Sequence, residues 1–391
     1  MYNPFCKQIQ QEKRGIRLFL ALKELVHSKG RFIMIGLIIV LISWLVFILS
    51  GLGTGLADLA AGTLKRAEAN AVVFEEGADM SLSKSMLSES ISDNLLRQKG
   101  VSDTAPISTF STSIRKSGTS EESGKKTDAI LIGIEPGSFI EPTPTEGKHL
   151  ADDAADQVLV DSSLKNDGFA IGDTLALSGS TEKLTIGGFT DHQTLNHQPA
   201  IFVNLDQFRM IRYAAPGSDN GIEDIVNGIL VQGKDIDLNE LTKADEQIEA
   251  GSKKAAVNAV PGYSAENATI TMMLWFLMII SAFILGVFFY VLTNQKTQQF
   301  GVLKAIGGSN GFIIRSVISQ VFVLSLVSVM IGIGLTYLTT LFLPEAMPFH
   351  LEVPMVMIYS IVLLLISLIS SLFSVVKIAK IDPLTALGRV E

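Results

Sequence analysis

Gln299-Phe300-Gly301-Val302-Leu303-Lys304-Ala305-Ile306-Gly307 lies between two apolar runs, each long enough to cross a bilayer. A mere connector of that length would be polar throughout. Here a Phe300-Gly301-Val302-Leu303 core sits in a basic loop: residues 293–315 hold Lys296, Lys304 and Arg315 and no acidic residue. Apolar side chains kept at a membrane surface point to a surface that docks onto another protein. The basic residues place that surface on the cytoplasmic side.

Working outward, four runs are nearly free of charge: 32–52, 271–292, 312–343 and 355–376. Each offers about 20 residues or more, enough to span about 30 Å of hydrocarbon as a helix. At 48% hydrophobic residues and a mean hydropathy of +0.38, the chain is too apolar for an ordinary soluble protein and too polar for an all-membrane one. The balance comes from a polar stretch of roughly 215 residues between the first and second runs, large enough for its own core. The chain reads as an α-helical membrane protein, four transmembrane helices in a one-plus-three order, with an α+β extracellular domain.

Charge sets the expected topology. Residues 1–31 carry Lys7, Lys13, Arg14, Arg17, Lys23, Lys29 and Arg31 against Glu12 and Glu24. The tail carries Lys377, Lys380 and Arg389 against Asp382 and Glu391, while the turn between the third and fourth runs has Glu345 and Glu352 and no base. The chain is therefore expected in the cell membrane, with both termini and the middle loop cytoplasmic and the large domain outside. Residues 55–268 hold 18 Lys/Arg against 33 Asp/Glu, which argues against a nucleic-acid partner. Cys6 is the only cysteine, so the domain relies on its core rather than on disulfides. The first run is too long and too far from the N-terminus for a cleavable signal peptide and reads as a signal anchor.

These signals divide the chain into an N-terminal cytoplasmic amphipathic helix (1–31), the first transmembrane helix and stalk (32–67), the extracellular α+β domain (68–244), and a stalk with the second transmembrane helix (245–292). The cytoplasmic coupling loop (293–311), the third transmembrane helix (312–343), the fourth (355–376) and a cytoplasmic tail (377–391) follow. Leu18, Leu22 and Leu25 share one helical face ahead of the first run, with Arg17, Lys23 and Lys29 as polar complement. Leu56, Leu59, Ala60 and Leu64 carry helical spacing beyond the first run, and 245–258 reads as helix before Pro261-Gly262. Gly51, Gly53 and Gly55 suit close helix approach. Strands are expected at 71–74, 129–134, 157–160, 174–178, 182–189 and 200–204, and helices at 84–99 and 205–211. Residues 117–126 read as a loop rich in Ser, Gly, Glu and Lys.

No Walker A loop, zinc-protease motif, cysteine pair or nucleophile elbow occurs in the sequence. His192 and His197 share a segment with Asp191, which reads as a solvated loop rather than a metal site. No Asp, Glu, Lys, Arg or His occupies the middle of a run, which argues against an ion relay. With no nucleotide-binding motif in the sequence, a motor subunit is the partner expected at the docking surface.

The one-plus-three order, the Phe300-Gly301-Val302-Leu303-Lys304-Ala305-Ile306-Gly307 loop, the tail Ile381-Asp382-Pro383-Leu384-Thr385-Ala386-Leu387 and the stretch Gly168-Phe169-Ala170-Ile171-Gly172-Asp173-Thr174-Leu175 together resemble the MacB/FtsX-like ABC transporter permeases. Leu20-Ala21-Leu22-Lys23-Glu24-Leu25, the run Leu41–Leu52 and Glu76-Gly77-Ala78-Asp79-Met80-Ser81-Leu82-Ser83 are similar to the haem-exporting, HrtB-type group within that family. The resemblance implies a permease that is no enzyme itself. It implies a homodimer whose copies each dock on a separate ABC ATPase subunit, two in all, which binds the ATP. Docking falls to Gln299, Phe300, Gly301, Val302, Leu303, Lys304 and Gly307. Phe300, Val302 and Leu303 are then the anchors, Lys304 a polar contact, and Gly301 and Gly307 the turns.

The resemblance implies no intrinsic cofactor and haem as cargo taken from membrane lipid. Residues able to ligate haem iron near the outer ends of the first and second spans are Asp58, Tyr263, Glu266, Met272 and Met273. Taken singly, Asp58 and Glu266 read as solvated stalk residues rather than ligands, and Met272 and Met273 as lipid- or core-facing packing. Other readings of the same architecture are an exporter of antimicrobial peptide or lipid, an FtsX-like transducer that activates a cell-wall hydrolase, and a sensor subunit coupled to a histidine kinase.

Overall fold

The computed structural model describes residues 29–379 apart from 118–125, 152–153, 216, 223 and 345–346. The amphipathic helix expected within 1–31, most of the loop at 117–126 and the tail motif at 381–387 lie outside the described residues. Two compact units account for the chain. Of the described residues, those from 29 to 54 and from 269 to 379 form a helical unit; the other unit, Gly55–Ala268, is α/β.

Helix α1 (Lys29–Arg66) belongs to the helical unit as far as Thr54 and to the α/β unit beyond it. After it come β1 (Ala71–Glu75), β2 (Leu87–Ser88), α2 (Ile91–Leu96), β3 (Val101–Lys116), β4 (Thr127–Ile134), β5 (Glu146–Gly147) and β6 (Gln157–Asp161). A 3-10 turn at Ser162–Asp167 leads to β7 (Thr174–Leu177), β8 (Lys183–Thr190), β9 (Thr194–Leu195) and β10 (Gln198–Asn204). The unit ends with α3 (Leu205–Arg212), β11 (Ile225–Val226), β12 (Gly228–Gly233), α4 (Leu238–Lys243), β13 (Ile248–Ser252) and α5 (Lys253–Ala259).

The main sheet runs β13-β1-β12-β3-β4-β10-β6-β8-β5, and β7 pairs with both β3 and β8. Strands β3, β4, β10, β6, β8 and β7 therefore pair in a closed circuit. Within it β4–β10 and β6–β8 are parallel and the other pairs antiparallel. Closure removes exposed edges and encloses a core that includes Ile114, Leu131, Val160, Leu175, Ile186 and Val203. Phe202, the neighbour of Val203 on β10, faces the opposite side of the strand and joins a separate apolar cluster. The stretch Gly168–Leu175 leads into β7, and Gly172 N donates to Ile186 O of β8 at 2.8 Å. Gly168 and Gly172 adopt left-handed φ values of 87° and 88°, which only glycine takes without strain. Asp173 accepts from Ala170 N at 2.9 Å, and Phe169 enters the core.

The other part of the sheet, β13-β1-β12-β3, is covered on both faces, and alternation along β1 sorts its side chains. Ala71 and Val73 pack with Ile91 and Leu95 of α2 and Leu241 of α4. Val72 and Phe74 face the other way, onto Ala61 and Leu64 of α1 and Ala256 and Val257 of α5. The six expected strands are all present. Two expected helices are corrected. Of 84–99 only Ile91–Leu96 is helical, because Leu87 and Ser88 pair with β11 and Glu75 N donates to Ser85 Oγ at 2.8 Å. Of 245–258 the first part is β13, paired along all of β1, and helix begins only at Lys253, where Ser252 Oγ caps it.

Helices α6 (Tyr263–Gln295), α7 (Thr297–Ala305), α8 (Asn310–Thr340) and α9 (Val353–Ala379) complete the chain. With α1, the long helices α6, α8 and α9 are long and apolar enough to cross a membrane. The buried seam of α6 is Leu274, Met278, Ser281, Leu285, Phe289 and Leu292, spaced by three or four residues. It meets Phe32, Ile35, Ile39 and Phe47 of α1 and Ile313, Val317 and Val321 of α8 in one apolar cluster. Hydroxyls tie the helices further: Trp44 Nε1 donates to Thr339 Oγ1 at 3.0 Å, and Ser374 Oγ donates to Phe289 O at 3.0 Å. Gly53 allows the expected close approach, since a Cβ there would lie 2.6 Å from Ile270 of α6.

Candidate functional site

Among the described residues, each of the two units carries chemistry beyond packing. The first is within the α/β unit, where α1 bends at Ala61, which has a non-helical φ of −143°. No proline causes the bend. Instead the segment around β9 captures successive carbonyls of α1. Thr194 Oγ1 donates to Asp58 O at 2.6 Å, His197 N to Leu59 O at 3.0 Å, and Asn196 N to Ala60 O at 2.8 Å. Gly62 leaves room for this approach, because a Cβ there would lie 2.7 Å from His192 O. Beyond the bend, Lys253 Nζ donates to Lys65 O at 3.2 Å and Ala67 O at 2.9 Å, satisfying carbonyls at the helix end.

The expected haem ligands fall into different surroundings. Asp58 is 4% exposed rather than solvated, and its carboxylate is held by Lys65 at 2.5 Å and Arg66 at 2.7 Å. Glu266 is not simply solvated either: one oxygen lies 3.3 Å from His197 Nε2, and the other is buried with no hydrogen-bond partner among the described residues. Tyr263 is half-buried against the apolar cluster of the α/β unit. Met272 and Met273, in the helical unit, are 53% and 50% exposed. His192 and His197 both adopt left-handed φ, so their segment is shaped by its bonds to α1 rather than being a plain solvated loop.

A cleft of about 550 Å³ in the same unit was not legible in the sequence. Glu89, Asp93, Asp103, Glu135 and Asp224 line it around Arg209. Arg209 pairs with Glu89 and with Asp206, the latter at 3.0 Å. Partial desolvation, then repulsion and hydrogen bonding from Glu89, hold the Glu135 carboxyl above the usual glutamate value.

The second place is α7, where a coupling loop was expected and a helix stands. Gly301 makes no turn; it is buried inside the helix, whereas Gly307 turns the chain with a φ of 95°. Phe300 and Leu303 are half-buried against the core of the helical unit. The exposed apolar side chains are Val302 at 51% and Ile306 at 76%. Gln299 is exposed and Lys304 half-buried. Helical spacing explains the division: residues 300 and 303 share one face, 302 and 306 another.

The described residues thus give four helices long and apolar enough to cross a membrane in a one-plus-three order, an α/β unit after the first, and a short helix between the second and third. Residues 271–383 match the FtsX-like permease C-terminal family. It is 26% identical over 372 residues to the putative hemin transport system permease protein HrtB of Staphylococcus haemolyticus, covering 95% of this chain and 99% of that one. To the protein of the same name from Staphylococcus epidermidis (strain ATCC 12228) it is 27% identical, covering 94% and 99%. An uncharacterized ABC transporter permease of Mycobacterium tuberculosis (strain H37Rv) is 25% identical, covering 95% and 99%. Among solved structures, the periplasmic region of MacB from Actinobacillus actinomycetemcomitans aligns with a TM-score of 0.35 at 16% identity, covering 50% of this chain and 94% of that one.

Proposed function

We propose that the chain is the permease of a haem efflux pump, a homodimer that works on two copies of a separate ATPase subunit. The observation that carries this reading is the similarity to the staphylococcal hemin-transport permeases along 94–95% of the chain. Its chemistry fits. Haem partitions into hydrocarbon, so a pump that takes it laterally from the outer leaflet needs an apolar pocket, not a charged channel. The middles of the apolar runs hold no Asp, Glu, Lys, Arg or His. ATP is bound by the partner, which docks on the exposed face of α7. Its movement passes along α1 and α6 to the α/β unit, which stands outside the cell with both termini inside.

Haem binding is tested by adding hemin to the purified protein and recording the Soret band, alongside the haem tolerance of a strain lacking the chain. A shifted Soret band and a haem-sensitive deletion are expected. No shift, with unchanged tolerance, removes haem as cargo and leaves the permease. The acidic cleft around Arg209 favours one second reading, export of a cationic antimicrobial peptide. In that case the deletion strain becomes peptide-sensitive and stays haem-tolerant.

A further inference from the structure

Lys296 stands at the joint between α6 and α7, one residue before α7 begins. By charge counting it is one more basic residue of a cytoplasmic loop, yet it is only 7% exposed. Its Nζ donates to Gln320 Oε1 of α8 at 3.2 Å and lies 5.0 Å from the centre of the Phe32 ring of α1. Both partners are themselves 3% exposed. Along the backbone, Lys296 N donates to Thr293 O at 3.1 Å, and Lys296 O accepts from Phe300 N at 3.0 Å in the first turn of α7.

Enclosing an ammonium group among apolar side chains is costly. A connector with no further task would place an aliphatic residue here. Phe300 and Leu303 rest on the core through non-directional contacts, which let a short helix slide or roll. A hydrogen bond and a cation over a ring are directional and resist such motion. One side chain thus binds the start of α7 to the first and third long helices of the unit. We propose that Lys296 is a positioning residue that makes α1 and α8 follow α7 when an ATPase subunit moves it. This rests on the reading of α7 as the docking helix.

The test uses the full chain assembled with its ATPase subunit in liposomes. Wild type is compared with Lys296→Met, Lys296→Arg and Gln320→Leu for co-purified ATPase, for KM for ATP, and for the permease-dependent stimulation of ATP hydrolysis. Lys296→Met and Gln320→Leu are expected to keep the ATPase bound and KM unchanged while stimulation falls about ten-fold, the scale of one lost hydrogen bond to a charged group. Lys296→Arg is expected to restore most of it. Wild-type stimulation in assembled Lys296→Met and Gln320→Leu complexes overturns the proposal. Loss of the bound ATPase in both variants overturns it too, because Lys296 then serves docking rather than transmission. The docking reading fails separately, if Ile306→Asp leaves the amount of co-purified ATPase unchanged.

Discussion

Gly332 of α8 rests so closely on Ser43 of α1 that a Cβ at position 332 would lie 2.1 Å from Ser43 Oγ and 3.0 Å from Ser43 Cβ. Trp44 N is 3.3 Å from the same point, so the backbone of α1 takes part in the contact. Rotating the serine does not make enough room. Gly332→Ala is expected to push the two helices apart and destabilise the helical unit by about 1–3 kcal/mol. Thermal unfolding in detergent reads this as a lowered midpoint. An unchanged midpoint means that α1 and α8 are not packed this closely.

The outward face of α7 gives the second prediction. Covering Val302 and Ile306 with a partner contributes about 1.5–3 kcal/mol each. Val302→Asp and Ile306→Asp are expected to abolish ATPase co-purification from a normally inserted, normally stable permease. Phe300→Asp is expected to lower the stability of the permease itself, because it carries a carboxylate onto the apolar cluster. Pull-down and thermal unfolding separate the two outcomes. The reverse pattern places Phe300 in the docking face.

The third prediction concerns pH. Glu135 titrates above its ordinary value, with partial desolvation as the first cause and Glu89 as the second. A raised carboxyl value means that the folded unit holds its proton more tightly than the unfolded chain. Stability therefore falls as pH rises from the ordinary value, 4.5, through the raised one, and stays lowered above it. Glu135→Gln is expected to raise the unfolding midpoint of the α/β unit at pH 7 and to leave it nearly unchanged at low pH. An equal effect at both pH values removes the ionisation argument.

The spans were legible because long charge-free runs have few other uses in a chain of this composition. Most strands of the closed circuit were legible because short apolar runs stand between turn residues. Strand β3 was not, since Ser102, Thr104, Ser108, Thr109, Ser111, Thr112 and Ser113 hide its few buried apolar positions. Leu87, Ile91 and Leu95 have helical spacing, yet pairing of Leu87 with Val226 overrides it. Helical periodicity in α7 separates Phe300 and Leu303 from Val302 and Ile306 but does not say which pair faces outward. The burial of Lys296 depends on Phe32 and Gln320, distant in sequence, and no local pattern marks it.

The last prediction sorts the five expected haem ligands by their surroundings. Iron needs a ligand atom with a free lone pair and an open approach. The Asp58 carboxylate is already held by Lys65 and Arg66, and ligation would first have to release both. One oxygen of Glu266 faces His197, and Tyr263 packs on the apolar cluster of the α/β unit. The thioethers of Met272 and Met273 belong to exposed side chains. Met272→Ala and Met273→Ala are therefore expected to weaken or shift the Soret band of added hemin. Asp58→Asn is expected to leave the band in place and to lower the unfolding midpoint of the α/β unit instead. A band lost in Asp58→Asn but kept in a Met272→Ala/Met273→Ala double variant would mean that Lys65 and Arg66 give up their carboxylate to haem, and the methionine assignment would fall.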